Sequence, residues 1–182
     1  MRARYRQESE EVFYIWDGKL AFERDDIDFL LKHAAQTKRR RARICLHPDP
    51  GAQQHEMLIV HHRDCYVRPH KHLGRGETFQ VIDGCATMVF FDDAGVISTC
   101  FGLNPPNGSG AFFCRVPDSV FHTILIDSEW LVFAETTLGP FSPKTTAFPD
   151  WAPPEADRIA VDRYRRALEK RVADRSLSPS LP

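Results

Sequence analysis

The sequence predicts a mainly β protein built on one barrel, with one helix before it and one after it. Three observations carry that prediction. Between residues 43 and 137, short apolar runs alternate with turn-forming residues at the spacing of a sandwich or barrel. On either side of that stretch, apolar residues recur at helical spacing instead. The chain has 182 residues, 42% of them hydrophobic and thirteen of them Phe, which suits a single domain with a sizeable core.

Residues 12–16 (Val-Phe-Tyr-Ile-Trp) read as a short strand before the Asp17-Gly18 turn. Asp25 reads as an N-cap, because Ile27, Leu30, Leu31 and Ala34 follow at i, i+3, i+4 and i+7. That helix is expected to lay its apolar stripe on the outside of the barrel. Barrel strands are expected at 43–47, 54–61, 66–72, 77–82, 85–91, 96–102, 111–116, 122–126 and 130–137. Asp83-Gly84 and Asp92-Asp93-Ala94-Gly95 read as hairpin turns, where Gly or Asp tolerates positive φ. After Gly139-Pro140 the chain is proline-rich, and Trp151 is expected to anchor it. Asp157 to Val172 reads as a charged amphipathic helix with Val161, Tyr164 and Leu168 on one face, and Ala173 to Pro182 has the composition of a disordered tail. The implied organisation is a strand and helix in 1–40, the barrel in 41–140, an extension with a helix in 141–172 and a tail in 173–182.

Charge narrows the function. With 24 basic and 25 acidic residues the formal net charge is -1, so the surface excess of cations that nucleic-acid binding needs is missing. The run Lys38 to Arg43 is a local exception, read first as a solvated helix end. Five cysteines (Cys45, Cys65, Cys85, Cys100 and Cys114), odd in number and without a Cys-x-x-Cys pair, read as buried thiols in a reducing compartment. No segment reaches transmembrane length and the N-terminus has no apolar signal region, so a cytoplasmic protein without membrane contact is expected.

The chemistry concentrates at Pro69-His70-Lys71-His72, Glu77 and His122. Side chains two apart on a strand share a face, so His70 and His72 project together. Glu77 can return toward them across the Leu73-Gly74-Arg75-Gly76 turn, and His122 adds a third imidazole after the Pro117-Asp118-Ser119 turn. Three imidazoles and one carboxylate would hold one divalent transition metal ion, with Zn, Fe, Ni and Mn all compatible. The same parity puts Tyr66 and Arg68 on the metal-facing side unless a bulge intervenes. Glu135 shares a face with Leu131 and Phe133, where a carboxylate is costly to bury unless paired; it is a candidate proton carrier and equally a structural ion-pair partner. His55 alternates with Met57 and Ile59 toward the cavity, and His47 closes the strand after the arginine run. Adjacent His61 and His62 must face opposite ways and are both expected at the surface or an edge.

The order His-x-His-x4-Glu-x6-Gly resembles the first motif of the cupin superfamily, and Pro117 to His122 resembles its second. Asp64, Ser119 and Ile126 stand where those motifs usually carry Gly, Gly and Asn. A narrower resemblance covers residues 38–155. It rests on Arg39-Arg40-Arg41-Ala42-Arg43, Cys45-Leu46-His47, His55-Glu56-Met57-Leu58-Ile59, Tyr66 to His72, Phe90 to Gly95, Glu135 to Phe141 and Phe148 to Glu155. These segments resemble the WbuC-type cupin metalloproteins found among bacterial genes for surface-polysaccharide and O-antigen synthesis. The resemblance implies a cupin (double-stranded β-helix, jelly-roll) barrel, a bound metal and a small-molecule sugar ligand. Within it, His70, His72, Glu77 and His122 are the metal ligands, Glu135, His55 and Tyr66 the catalytic candidates, and Arg43, His47 and Arg68 the substrate-binding candidates. An isomerisation, epimerisation or lyase-type step on a sugar or nucleotide-sugar suits that equipment. An Fe(II)-dependent dioxygenase and a non-catalytic, metal-assisted sugar-binding module stay open beside it. A homodimer is expected, since small cupin barrels pair through sheet edges and an open edge strand is an aggregation liability.

Overall fold

The computed structural model describes residues 5–15 and 21–176. Its strands are β1 (Tyr5–Gln7), β2 (Val12–Ile15), β3 (Arg41–Cys45), β4 (Gln54–His62), β5 (Lys71–His72), β6 (Glu77–Asp83), β7 (Ala86–Phe91), β8 (Ile97–Leu103), β9 (Phe113–Val116), β10 (Phe121–Ile126), β11 (Trp130–Leu138) and β12 (Thr146–Ala147). Two helices flank them, α1 (Arg24–Ala34) and α2 (Arg158–Ser176). One sheet runs β1-β2-β3-β4-β11-β6-β9, a second β10-β7-β8, and β12 pairs with β5. The interior between the two large sheets holds Tyr14, Met57, Phe79, Met88, Ile124 and Phe133 among others.

Each large sheet has a helix on its outer face. Leu30 and Ala34 of α1 are fully buried against Ala42, Ile44, Leu58, Val60 and Val132, so the predicted stripe does pack outside the barrel. At roughly 1.5–3 kcal/mol per large buried aliphatic side chain, this face is worth as much as a section of the interior. Leu168 and Tyr164 of α2 cover Val89, Phe91, Phe121 and Leu125. That cover explains why β10 (Phe-His-Thr-Ile-Leu-Ile) is buried at every position instead of alternating, as a strand packed on both faces must be.

The boundaries depart from expectation for definable reasons. The N-cap of α1 is Glu23, two residues before the expected Asp25, because the Asp26 carboxylate reaches back to accept the Glu23 N–H at 2.5 Å. Asp25 then lies in the first turn, where its charge suits the helix dipole. At the other end α2 runs four residues past the expected Val172, held by the Arg175 guanidinium on the Ile97 and Ser98 carbonyls of β8. Residues 177–182 of the expected tail, and Trp16 of the expected first strand, lie outside the described residues. The expected strand 66–72 shrinks to Lys71–His72. Pro69 has no N–H to give a ladder, and the Tyr66 and Arg68 side chains are bonded away to the C-terminal strap.

Asp83-Gly84 is not a hairpin turn. β6 and β7 belong to different sheets, and this dipeptide is the corner between them, whereas Asp92 to Gly95 does join the paired β7 and β8. The corner admits only glycine: φ is +79°, and an added Cβ would sit 2.1 Å from the Trp130 carbonyl oxygen.

Charged groups tie the N-terminal segment to the rest. Glu11, 8% exposed, accepts from Arg39 at 2.5 and 2.6 Å and from Arg41 at 2.9 Å, while Arg39 also donates to Glu155 at 3.0 Å. Burial alone would raise the Glu11 carboxyl, but the two arginines outweigh it and hold it below 4.5. A carboxyl lowered on folding stabilises fully above its unfolded value and loses that contribution as pH falls through the folded one. Glu11→Gln should therefore cost about 1–2 kcal/mol at neutral pH, discounted for the half-exposed Arg39. Thermal melts at neutral pH and through the range below 4.5 should show the gap to wild type closing with acid.

Candidate metal centre

His70, His72, Glu77 and His122 come together as the sequence predicts, with one donor atom from each lying within 4.8 Å of all the others. Backbone pairing does the positioning. His70 and His122 form an antiparallel bridge, His70 N–H to His122 O at 3.1 Å and His122 N–H to His70 O at 2.9 Å, which sets their imidazoles side by side. His72 follows on β5 and Glu77 opens β6 after the glycine turn. Glu77 and His122 are buried, while His70 and His72 keep a little surface.

A second layer of contacts turns the rings. Nδ1 of His70 donates to the Arg68 carbonyl at 2.8 Å and Nδ1 of His122 to the Val120 carbonyl at 3.0 Å, while Nδ1 of His72 pairs with the Thr146 hydroxyl at 3.2 Å. Each Nδ1 is thus occupied and each Nε2 faces the common point, the arrangement in which metal-binding imidazoles are usually held. The Glu77 oxygens lie 2.8 Å from His122 Nε2 and 3.2 Å from His72 Nε2. With Nδ1 protonated, those contacts set ring lone pairs against carboxylate lone pairs, a conflict relieved by a cation shared among them. Burial, then the neighbouring His122, pushes His70 down to about 3, which keeps it a neutral ligand. Burial would raise Glu77, but hydrogen bonds from His122 and His72, available when those rings carry a proton at Nε2 as well, hold it well below the usual carboxylate range. The cluster could hold a metal, and its donors fit a divalent transition ion.

From this centre a cavity of about 430 Å³ extends between the sheets. Strand register lays its wall out in rows about 6.8 Å apart. Glu77, Thr137 and His55 form the first row; Phe79, Glu135, Met57 and Cys45 the second; Val81, Phe133, Ile59 and Arg43 the third. Glu135 therefore stands one strand and one row from Glu77. Burial, followed by the charge of Glu77, pushes its carboxyl up to about 8 against the opposing pull of Arg43 and Arg75. His47 and His55 stack with centroids 3.9 Å apart and rings 13° from parallel. His47 is pushed down to about 4, by burial first and His55 second.

Two candidates fall elsewhere. The Tyr66 hydroxyl donates to the Pro153 carbonyl at 3.1 Å, and Arg68 donates to the Ala152 and Pro149 carbonyls at 3.1 and 3.2 Å. Both clamp the C-terminal strap and neither lines the cavity, because residues 66–70 are not a regular strand and the parity argument lapses there. Conversely, His61 and His62 are not surface residues. His61 lines the cavity and packs edge-on against Phe133; burial, then Arg41 and Arg43, pushes it down to about 3. The alternation that places His55 inside also places His61 inside. His62 lies on the opposite face, buried against Trp130. Arg75 also lines the cavity; its turn position, outside any periodic run, gave no sign of that.

No curated protein matches the chain in sequence. A family model described as a domain of unknown function, DUF6016, matches residues 22–103. Among solved structures the chain is similar to the capsular polysaccharide assembling protein CapF from Staphylococcus aureus, with 15% identity and a TM-score of 0.51 over 62% of this chain and 32% of that one. It is also similar to the oxalate decarboxylase of Lactobacillus farciminis, with 17% identity and a TM-score of 0.42 over 53% of this chain and 26% of that one. These are cupin-fold proteins. The fold here is a cupin barrel. The chain spans about a third or less of the length of these structures.

His72→Ala should lose most of the metal, read by elemental analysis after reconstitution, with the circular dichroism of the barrel unchanged. Thr146→Val removes only the partner of His72 Nδ1, and titration with a chromophoric chelator should show metal affinity about tenfold weaker.

Proposed function

We propose that the protein is a metal-dependent enzyme acting on a sugar or nucleotide-sugar intermediate of surface-polysaccharide synthesis, of the WbuC type that its segments resemble. The observation that supports this best is the pairing of the His70, His72, Glu77 and His122 cluster with Glu135 across one cavity. A centre built only to hold a ligand has no need of a proton-holding carboxyl beside it. When bound, a divalent ion supplies a Lewis acid that polarises an oxygen of the ligand. Glu135 holds its proton near neutral pH, where a group can both give and take one, and an ion at the centre would draw its value back toward neutrality from above. His55 is the second proton carrier: Ala52 O occupies its Nε2 at 3.1 Å, which leaves Nδ1 for the cavity. That CapF is by its description a capsular polysaccharide assembling protein agrees with a setting in surface sugars.

Metal-loaded protein incubated in D2O with free and nucleotide-activated hexoses should wash deuterium into a carbon next to a carbonyl, read by NMR. Glu135→Gln should keep the metal and the fold while slowing that exchange by about 10²–10⁴-fold. If the variant instead melts earlier and exchanges at the wild-type rate, Glu135 is a structural residue and the enzymatic reading loses its proton carrier.

A further inference from the structure

Four arginines (Arg39, Arg41, Arg43 and Arg75) and four glutamates (Glu8, Glu11, Glu77 and Glu135) line the cavity, so the charge of a divalent ion bound there would be left unanswered. Arg39 and Arg41 at the outer rim are accounted for, since Glu11 and Glu155 pair with both. Arg43 and Arg75 are different. Both line the cavity, each has a buried Nε–H without a hydrogen-bond partner, and among the described residues neither forms an ion pair with a carboxylate. Arg75, 8% exposed, spends one terminal nitrogen on the Leu138 carbonyl at 3.3 Å and lays its guanidinium over Phe141. Arg43 reaches in from the third row, and near it His61 Nδ1 is also buried without a partner.

Two guanidiniums and a divalent ion, set against Glu77 and Glu135 even when both are ionised, leave two positive charges in a largely closed space. A guanidinium taken partly out of water with no anion beside it is unfavourable, and a buried donor left empty adds to that cost. Such groups persist when a ligand completes them. At about 430 Å³ the cavity sits at the small end of small-molecule sites. Water alone does not answer two cations, and a neutral hexose would leave both unpaired.

We propose that the ligand of this cavity is an anionic sugar of monosaccharide size, carrying a carboxylate or a phosphate, with Arg43 and Arg75 as its two charge-recognising residues. This rests on the metal-and-sugar reading above and narrows it from sugars at large to acidic ones. Guanidinium forks accept carboxylate and phosphate alike, so the wall chemistry is the same for both. Arg75 lies beside the metal end, two residues before Glu77, and Arg43 lies two rows farther along the strands, so the ligand is held from both ends with Glu135 between them.

The test is calorimetric titration of protein whose metal content has first been measured, using glucuronate, glucose 1-phosphate and neutral glucose. At least one anionic sugar should bind tenfold or more tighter than glucose, and which of the two does so tells carboxylate from phosphate. Arg43→Met and Arg75→Met should each weaken that binding at least tenfold without changing metal content. Arg75→Lys, which keeps the charge but loses the fork, should fall between wild type and Met and guards against misfolding of the larger change. Equal binding of all three sugars, no anionic binding to metal-loaded protein, or indifference to both arginine changes would overturn the proposal and leave the metal reading standing. Protein that takes up no metal would sink the metal reading instead. The same titration on it still decides whether the arginines select an anion.

Discussion

The site hangs on one short antiparallel bridge, the two backbone hydrogen bonds between His70 and His122. Residues 66–70 form no regular strand of their own, and on either side of the bridge the segment is held by the Thr123 hydroxyl on the Val67 carbonyl and by the Ser119 N–H on the His72 carbonyl at 2.9 Å. Once the bridge is made, His72 falls two residues further on and the turn back to Glu77 has only four residues to cross. The Nδ1 contacts then need no long-range adjustment: two of the three acceptors are carbonyls two residues back in the same chain. Geometry that looks like convergence from distant parts of the sequence is therefore mostly local once that pair is set.

Much of the fold was legible because barrel strands and their turns leave period-two and glycine signals. The ligand set was legible because its spacing survives on short connected segments. What the sequence misplaced has a common cause, which is dependence on a distant partner. Asp83-Gly84 looks like a hairpin turn locally; only the pairing of β7 with β10 and β8 makes it a corner between sheets. Tyr66 and Arg68 were placed by strand parity, and the strap at 149–153 draws them the other way. Arg75 belongs to no periodic run, so no pattern could announce it. His61 was available from the alternation of His55, Met57 and Ile59, and was lost only because its neighbour His62 suggested an exposed pair.

The C-terminal strap is structural and rims the site at once. Its Thr146 holds His72, its Phe148 lies under Arg68 with centroid 4.8 Å from the guanidinium, and Phe141 receives Arg75. Trp151, the anchor expected from composition, does pack against Phe91 and Phe121 and donates to the Asp93 carbonyl at 3.1 Å. Gly139 lets the strap leave β11 at close quarters, since an added Cβ would lie 1.9 Å from the Ala52 oxygen and 2.6 Å from His55 Nε2.

The row arrangement of the large sheet gives each cavity residue on β3, β4, β6 and β11 a coordinate, one strand by one row. The first row carries Glu77 of the candidate metal cluster, the second carries the ionisable carboxyl of Glu135, and the third carries the Arg43 guanidinium more than 10 Å along the strands, by pleat spacing of roughly 3.4 Å per residue. A third-row side chain can be exchanged without touching the first-row carboxylate of the cluster. The scaffold keeps the metal-ligand cluster and the far wall of the pocket on separate rows, so the far wall can drift in sequence without rebuilding the cluster.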